Sequence, residues 1–218
     1  MQSSSGKTAV TCMVLAAMEK RGISIQPFKI GPDFIDPGYH LHYSAKNSVN
    51  LDPWIMGKVH VVQAASQFTK NSFGVAEGVM GLFDGSNPET DIGSTMEIAR
   101  WLEWQIILVV PCQNAGRSIT AAIQGFVREA GGKKHFLGII LNQTNGESHA
   151  KYLCKACKSL AIPVLGTLPE IPALSWPERH LGLQPELEQK LPEPKVLAEL
   201  AEKHIELDQL FKKLLFQS

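Results

Sequence analysis

The 218-residue sequence predicts an α/β fold, with a mostly parallel sheet and helices on both of its faces. Short, continuously apolar runs recur along the chain, and segments with helical apolar spacing lie between several of them. A strand that is apolar all round must be covered on both sides, which is the parallel-sheet arrangement. The hydrophobic fraction of 44% is enough to build the core of one domain.

The strand-like runs are 24–30, 73–79, 104–110, 136–142 and 162–168. Before the first, Val10, Met13, Val14, Ala17 and Met18 fall at i, i+3, i+4, i+7 and i+8, and Gly22 stands where that helix should stop. Ile119, Ala122, Ile123, Phe126 and Val127 repeat the same spacing. Leu191-Pro192-Glu193-Pro194 reads as a break. After it Leu207, Leu210, Phe211, Leu214 and Leu215 again keep helical spacing, as a helix closing the domain or as a linker to a further one.

The 21 basic residues balance the 21 acidic ones, so overall charge favours neither nucleic acid nor an anionic membrane as partner. No apolar run is long enough to cross a bilayer and no secretion signal opens the sequence, so a cytoplasmic protein is expected. Of the four cysteines only Cys154 and Cys157 are close, without the second pair or the histidines that zinc would need. They read as structural, in a reducing compartment.

Ser3-Ser4-Ser5-Gly6-Lys7-Thr8 precedes the first helix and reads as the second half of a phosphate-binding P-loop. Gly6 lets the backbone approach a phosphate, Lys7 supplies charge for the β- and γ-phosphates, and the Thr8 hydroxyl suits Mg²⁺. ATP and Mg²⁺ are therefore the expected cofactors. Such a loop normally opens with a glycine and follows a strand that is central to its sheet. Met1 occupies the glycine's place, so the expectation is a chain whose first strand is missing or whose start was assigned too late.

Longer segments narrow the family. Gln26-Pro27-Phe28-Lys29-Ile30-Gly31-Pro32-Asp33-Phe34-Ile35-Asp36-Pro37-Gly38-Tyr39-His40 comes first, then Asn50-Leu51-Asp52. Glu77-Gly78-Val79-Met80-Gly81-Leu82-Phe83-Asp84-Gly85 and Pro177-Glu178-Arg179-His180-Leu181-Gly182-Leu183 follow in order. Along essentially the whole chain this series resembles the synthetase part of the cobyrinic acid a,c-diamide synthase family, which has a P-loop NTPase-like fold. The resemblance implies ATP-dependent amidation of the a and c carboxylates of cobyrinic acid or a related tetrapyrrole through an acyl phosphate. It divides the chain into a synthetase domain at 1–190 and a helical segment at 191–218. In that family a glutaminase domain supplies ammonia, and no cysteine here has the setting of its nucleophile. Ammonia would then come free or from a partner subunit, and a homodimer is left open.

Residue by residue, Lys29 leaves a strand end, where it can neutralise phosphate or a substrate carboxylate or simply be solvated. Asp33 and Asp36 lie in a Gly- and Pro-rich stretch expected not to be helical, and serve Mg²⁺, ammonia, substrate or the turn itself. A related amide-forming family, dethiobiotin synthetase, holds Mg²⁺ with a P-loop threonine, an aspartate and a glutamate. Thr8, Asp52 and Glu77 are similar to those three. Asp84 acts on substrate or γ-phosphate, or caps its turn. Asn142 reads the adenine edge or caps a strand end. Phe34, Tyr39 and His40 are expected against substrate, with Phe34 standing where tyrosine is also common. His40 and His42 would share a face if they lay on a strand. Pro111 departs from the family's aspartate after the strand that ends in Leu108-Val109-Val110. The competing readings are a regulatory or partitioning P-loop ATPase and an inactive remnant of the synthetase.

Overall fold

Every strand ladder in the computed structural model is parallel. The structure describes residues 4–174 and 191–215. In chain order they form α1 (Lys7–Lys20), β1 (Ile25–Ile30), α2 (Ile35–Tyr43), β2 (Val49–Leu51), α3 (Pro53–Thr69) and β3 (Phe73–Glu77). Then come α4 (Thr95–Leu102), β4 (Ile106–Pro111), α5 (Ile119–Glu129), β5 (Phe136–Thr144), α6 (Gly146–Cys157), β6 (Val164–Pro169), α7 (Pro194–His204) and α8 (Leu207–Leu215). The α/β class with parallel strands and flanking helices is as the sequence predicts.

The single sheet that was expected is two three-stranded sheets, ordered β2-β1-β3 and β4-β5-β6. The same helices cover both. Buried residues of α1 pack with Ile25 of the first sheet and with Val109, Ile140 and Leu165 of the second. On α4, Met96 belongs to the second sheet's apolar cluster and Ile98 to the first's.

The α1 pattern has a further consequence. Beside the predicted stripe, Cys12, Leu15 and Ala16 are buried too. A helix apolar on nearly every side must be enclosed, and α7 and α2 pack on it in addition to the sheets. Leu197, Ala198, Ala201, Leu207, Leu210 and Phe211 join that same cluster, so the helices after the Leu191–Pro194 break dock on the domain. The α1 C-terminus closes as predicted: Gly22 adopts φ 68°, and Ile23 N donates to Met18 O at 3.0 Å.

Two local expectations are corrected. The stretch around Asp36 is helical, because Pro37 falls in the first turn of α2, where its missing N–H is not needed. Asp33 Oδ1 accepts the Ile35 N–H at 2.9 Å at the same helix start. His40 and His42 accordingly lie on a helix, with His40 buried and His42 exposed. The three-residue β2 is too short to carry a readable period, yet it pairs with β1 from Phe28↔Val49 to Ile30↔Leu51. Among the described residues no helix is long and apolar enough to cross a membrane.

Candidate functional site

Parallel strands bring their carboxyl ends to one edge, and the predicted site residues collect there. Lys29 is the penultimate residue of β1, Glu77 the last of β3, and Asp52 follows β2. The N-terminus of α1 meets this edge through Thr8 and Ser5.

Gly6 caps α1 with φ 84° and ψ 23°, a left-handed conformation that glycine adopts freely. A Cβ on Gly6 would stand 2.2 Å from Asn142 Nδ2, so close approach also demands glycine. Asn142 Nδ2 donates to Ser5 O at 3.0 Å, tying the loop to the end of β5. Gly6 at the N-cap has no side chain to cap α1, whose first-turn N–H groups suit an anion. Ser4 is exposed with φ 56°, Ser5 is fully buried, and Lys7 and Thr8 are half-buried. Ser3 lies outside the described residues.

Behind the loop sits a dry cluster of charge. Lys29 Nζ forms an ion pair with Asp36 Oδ2 at 2.5 Å. The same ammonium is 3.4 Å from Glu77 Oε1, 3.9 Å from Asp33 Oδ2 and 3.4 Å from the Gly78 carbonyl. Thr8 Oγ1 donates to Glu77 Oε1 at 2.6 Å and is 3.5 Å from Asp36 Oδ1. The side chains of Lys29, Asp36 and Glu77 are only 3%, 2% and 1% exposed. Three carboxylates thus lie within 4 Å of one ammonium. The field of the cluster reaches under α1, where burial first, then Glu77 and Asp36, push the Cys12 thiol well above its usual range.

Hard oxygen donors of this kind suit Mg²⁺. Among the described residues no group of three or more His, Cys, Asp or Glu is arranged to hold a metal alone. Mg²⁺ commonly shares one or two protein oxygens with bound phosphate, and Thr8 with Glu77 could supply such oxygens.

The other predicted residues divide. Asp52 is buried and caps α3, its Oδ1 accepting from Trp54 N at 2.8 Å and Ile55 N at 3.1 Å. It makes no hydrogen bond to Thr8 or Glu77. Asp84 is exposed, and its Oδ2 accepts the Gly81 N–H at 2.7 Å, so it caps its turn. Phe34 is 81% exposed at the carboxyl edge, and Tyr39 is buried against the core. His40, expected against substrate, is 0% exposed, and both ring nitrogens have partners within the protein. The 177–183 segment lies outside the described residues. Cys154 and Cys157 are free thiols on α6, both pushed up by burial.

Sequence reasoning gave no role to Asn50 and overlooked Ser48. Asn50 Nδ2 donates to Gly31 O and to Asp33 O, both at 2.8 Å, and so holds the Asp33 loop against β2. An amide at a strand end next to Leu51-Asp52 was the available signal for it. Nothing in the sequence separates Ser48 from other loop serines.

Comparison with known proteins gives one family and a consistent set of relatives. A family model described as the CobQ/CobB/MinD/ParA nucleotide binding domain matches residues 1–183. The hydrogenobyrinate a,c-diamide synthase of Brucella anthropi is 42% identical over 217 residues, covering 95% of this chain and 48% of that protein. The cobyrinate a,c-diamide synthase of Listeria innocua is 39% identical over 217 residues, 96% of this chain and 47% of that protein. The corresponding Synechococcus protein is 38% identical over 185 residues, 84% of this chain and 40% of that protein. The chain spans about half the length of the curated relatives it matches.

Proposed function

The chain belongs to the CobQ/CobB/MinD/ParA nucleotide binding domain family, and from that premise we propose that it activates tetrapyrrole carboxylates with ATP, as the synthetase part of an a,c-diamide synthase. The observation that carries this reading is the buried Lys29–Asp36–Glu77 cluster touching Thr8 at the start of α1. Nucleotide binding alone does not require a strand-end lysine held among carboxylates, whereas such a lysine suits a carboxylate substrate beside the γ-phosphate. The names of the relatives, hydrogenobyrinate and cobyrinate a,c-diamide synthase, supply the substrate class.

A carboxylate is a poor electrophile, since its charge repels nucleophiles and oxide does not leave. Transfer of the γ-phosphoryl of ATP to a carboxylate oxygen gives an acyl phosphate and ADP. Ammonia then attacks the acyl carbon, the bond to phosphate breaks, and an amide and inorganic phosphate remain after loss of a proton. The protein's work is positioning and charge neutralisation. In this reading the first-turn N–H groups of α1, the Ser3-Ser4-Ser5-Gly6 loop and Lys7 hold the phosphates. Asn142 fixes the loop, with its amide close to where the nucleotide enters. Thr8 and Glu77 would hold Mg²⁺, with Asp52 nearby at the same edge, and the ion would neutralise phosphate charge when bound. Lys29 attracts the incoming carboxylate, Asp33 and Asp36 orient Lys29 or the ammonia, and Phe34 flanks the macrocycle. Asp84, held in its turn, has the smallest part. A glutaminase domain or a partner subunit delivers ammonia, and free ammonium replaces it in the tube.

The test is product mass. The chain is incubated with MgATP, ammonium and a panel of carboxylated tetrapyrroles, with glutamine replacing ammonium in a parallel sample. One or two carboxyl-to-amide conversions are expected with ammonium. No conversion, together with ATP turnover that rises with a protein or DNA partner, would instead favour a regulatory ATPase.

A further inference from the structure

The two oxygens of Glu77 face different neighbours. Oε1 accepts from Thr8 Oγ1 at 2.6 Å and lies 3.4 Å from Lys29 Nζ, on the side of the phosphate loop. Oε2 points the other way and meets His40 Nε2 at 2.8 Å. His40 in turn reaches Ser48 Oγ through Nδ1 at 3.0 Å. The imidazole is 0% exposed. A carboxylate can only accept, so Nε2 carries the proton toward Glu77, while Nδ1 pairs with the Ser48 hydroxyl. Every polar atom of the chain Ser48–His40–Glu77 then has a partner.

We propose that His40 is a positioning residue for Glu77. Seated by Ser48, it binds Oε2 and so holds Oε1 toward Thr8, where a nucleotide-bound divalent cation would be shared. Glu77 can turn about its own side-chain bonds. Without His40 its buried carboxylate would lose one of its donors and rotate toward Lys29, which already sits near Oε1. Partners of this kind, behind a metal-binding group, set ligand orientation and commonly change metal affinity by about 10- to 100-fold. His40 lies eight residues before Ser48 and 37 before Glu77, and its contacts to both tie α2 to the end of β3.

This inference rests on the reading that Thr8 and Glu77 face the metal of a bound nucleotide. It is tested by calorimetric titration of the full chain with ATP, once in EDTA and once across a Mg²⁺ series. The expected result for His40→Leu is unchanged affinity in EDTA and about a tenfold rise in the Mg²⁺ needed to tighten ATP binding. His40→Gln, whose amide can donate to Oε2, should restore the wild-type Mg²⁺ requirement to within about twofold. Ser48→Ala should shift it in the same direction as His40→Leu, by less. If His40→Leu does not fold, Ser48→Ala decides, since it leaves the imidazole in place. Wild-type Mg²⁺ dependence in Ser48→Ala and in any folded His40→Leu would overturn the proposal, as would an equal loss in EDTA and in Mg²⁺. A wild-type chain whose ATP binding ignores Mg²⁺ would instead bring down the reading of Glu77 itself.

Discussion

The two sheets bury different things. The first, β2-β1-β3, carries Gln26, Lys29 and Glu77 inside, and β1 is buried at all six positions. The second, β4-β5-β6, packs Leu108, Val110, Ile139, Leu141 and Leu165, with Asn142 and Thr144 its buried polar residues at the carboxyl end. Stability alone favours the second solution, because a buried ion pair rarely outdoes well-packed hydrocarbon. On the proposed reading, the first sheet keeps its charges for a nucleotide site around Thr8 and Gly6, and the second serves as scaffold.

The contrast can be broken from either side. The largest effect is expected for Lys29→Met, which strands Asp36 and Glu77 without their cation. Removing one partner of a buried charge set costs about 3–5 kcal/mol, read as a fall in the urea midpoint, and tetrapyrrole amidation should vanish with it. Next comes Leu141→Ala in the apolar half, fully buried in β5. It should cost about 3 kcal/mol through cavity formation yet leave the Mg²⁺ dependence of ATP binding unchanged in the protein that folds. If the two substitutions affected nucleotide binding alike, the division between scaffold and site would not hold.

The loop sharpens the comparison because it joins the two halves. Gly6→Ala places a Cβ 2.2 Å from Asn142 Nδ2 and asks alanine for φ 84°. The conformational strain alone is about 1–2 kcal/mol, and ATP affinity should fall by about tenfold or more as the loop shifts. The smallest effect is expected at Arg21, far from the edge. Its guanidinium meets Glu202 and Asp208 at 2.6 Å each, and the Asp208 side chain is 90% exposed. Arg21→Ala should lower stability by no more than about 1 kcal/mol, with the loss shrinking in high salt and ATP binding untouched.

The legible parts of this molecule are those with a period or a motif. Strands β1, β3, β4, β5 and β6 and helices α1 and α5 stand within two or three residues of where apolar runs and helical spacing put them. β2 escaped because three residues carry no period. α2 escaped because Pro37 and Gly38 read as loop residues, although proline in a first turn is compatible with helix. In the site, Thr8, Lys29, Asp36 and Glu77 were all named from sequence, and the fold brings them into contact across 69 positions of chain. What the motif leaves open is direction. His40, expected against substrate, points inward to Glu77. Asp84, expected at substrate or γ-phosphate or as a turn cap, accepts the Gly81 N–H of its own turn. A motif marks which residues matter at an edge, whereas inward or outward facing is decided by tertiary packing that the motif does not encode.

The most direct test is the Mg²⁺-dependent part of ATP binding in wild type and in Glu77→Gln, measured by calorimetry with and without EDTA. The charged half of the layer being a metal–nucleotide site predicts that wild type binds ATP at least about tenfold more tightly with Mg²⁺. Glu77→Gln should stay folded, keep the EDTA affinity and lose that increment. An unchanged Mg²⁺ increment in Glu77→Gln, or no ATP binding by wild type at all, would contradict it.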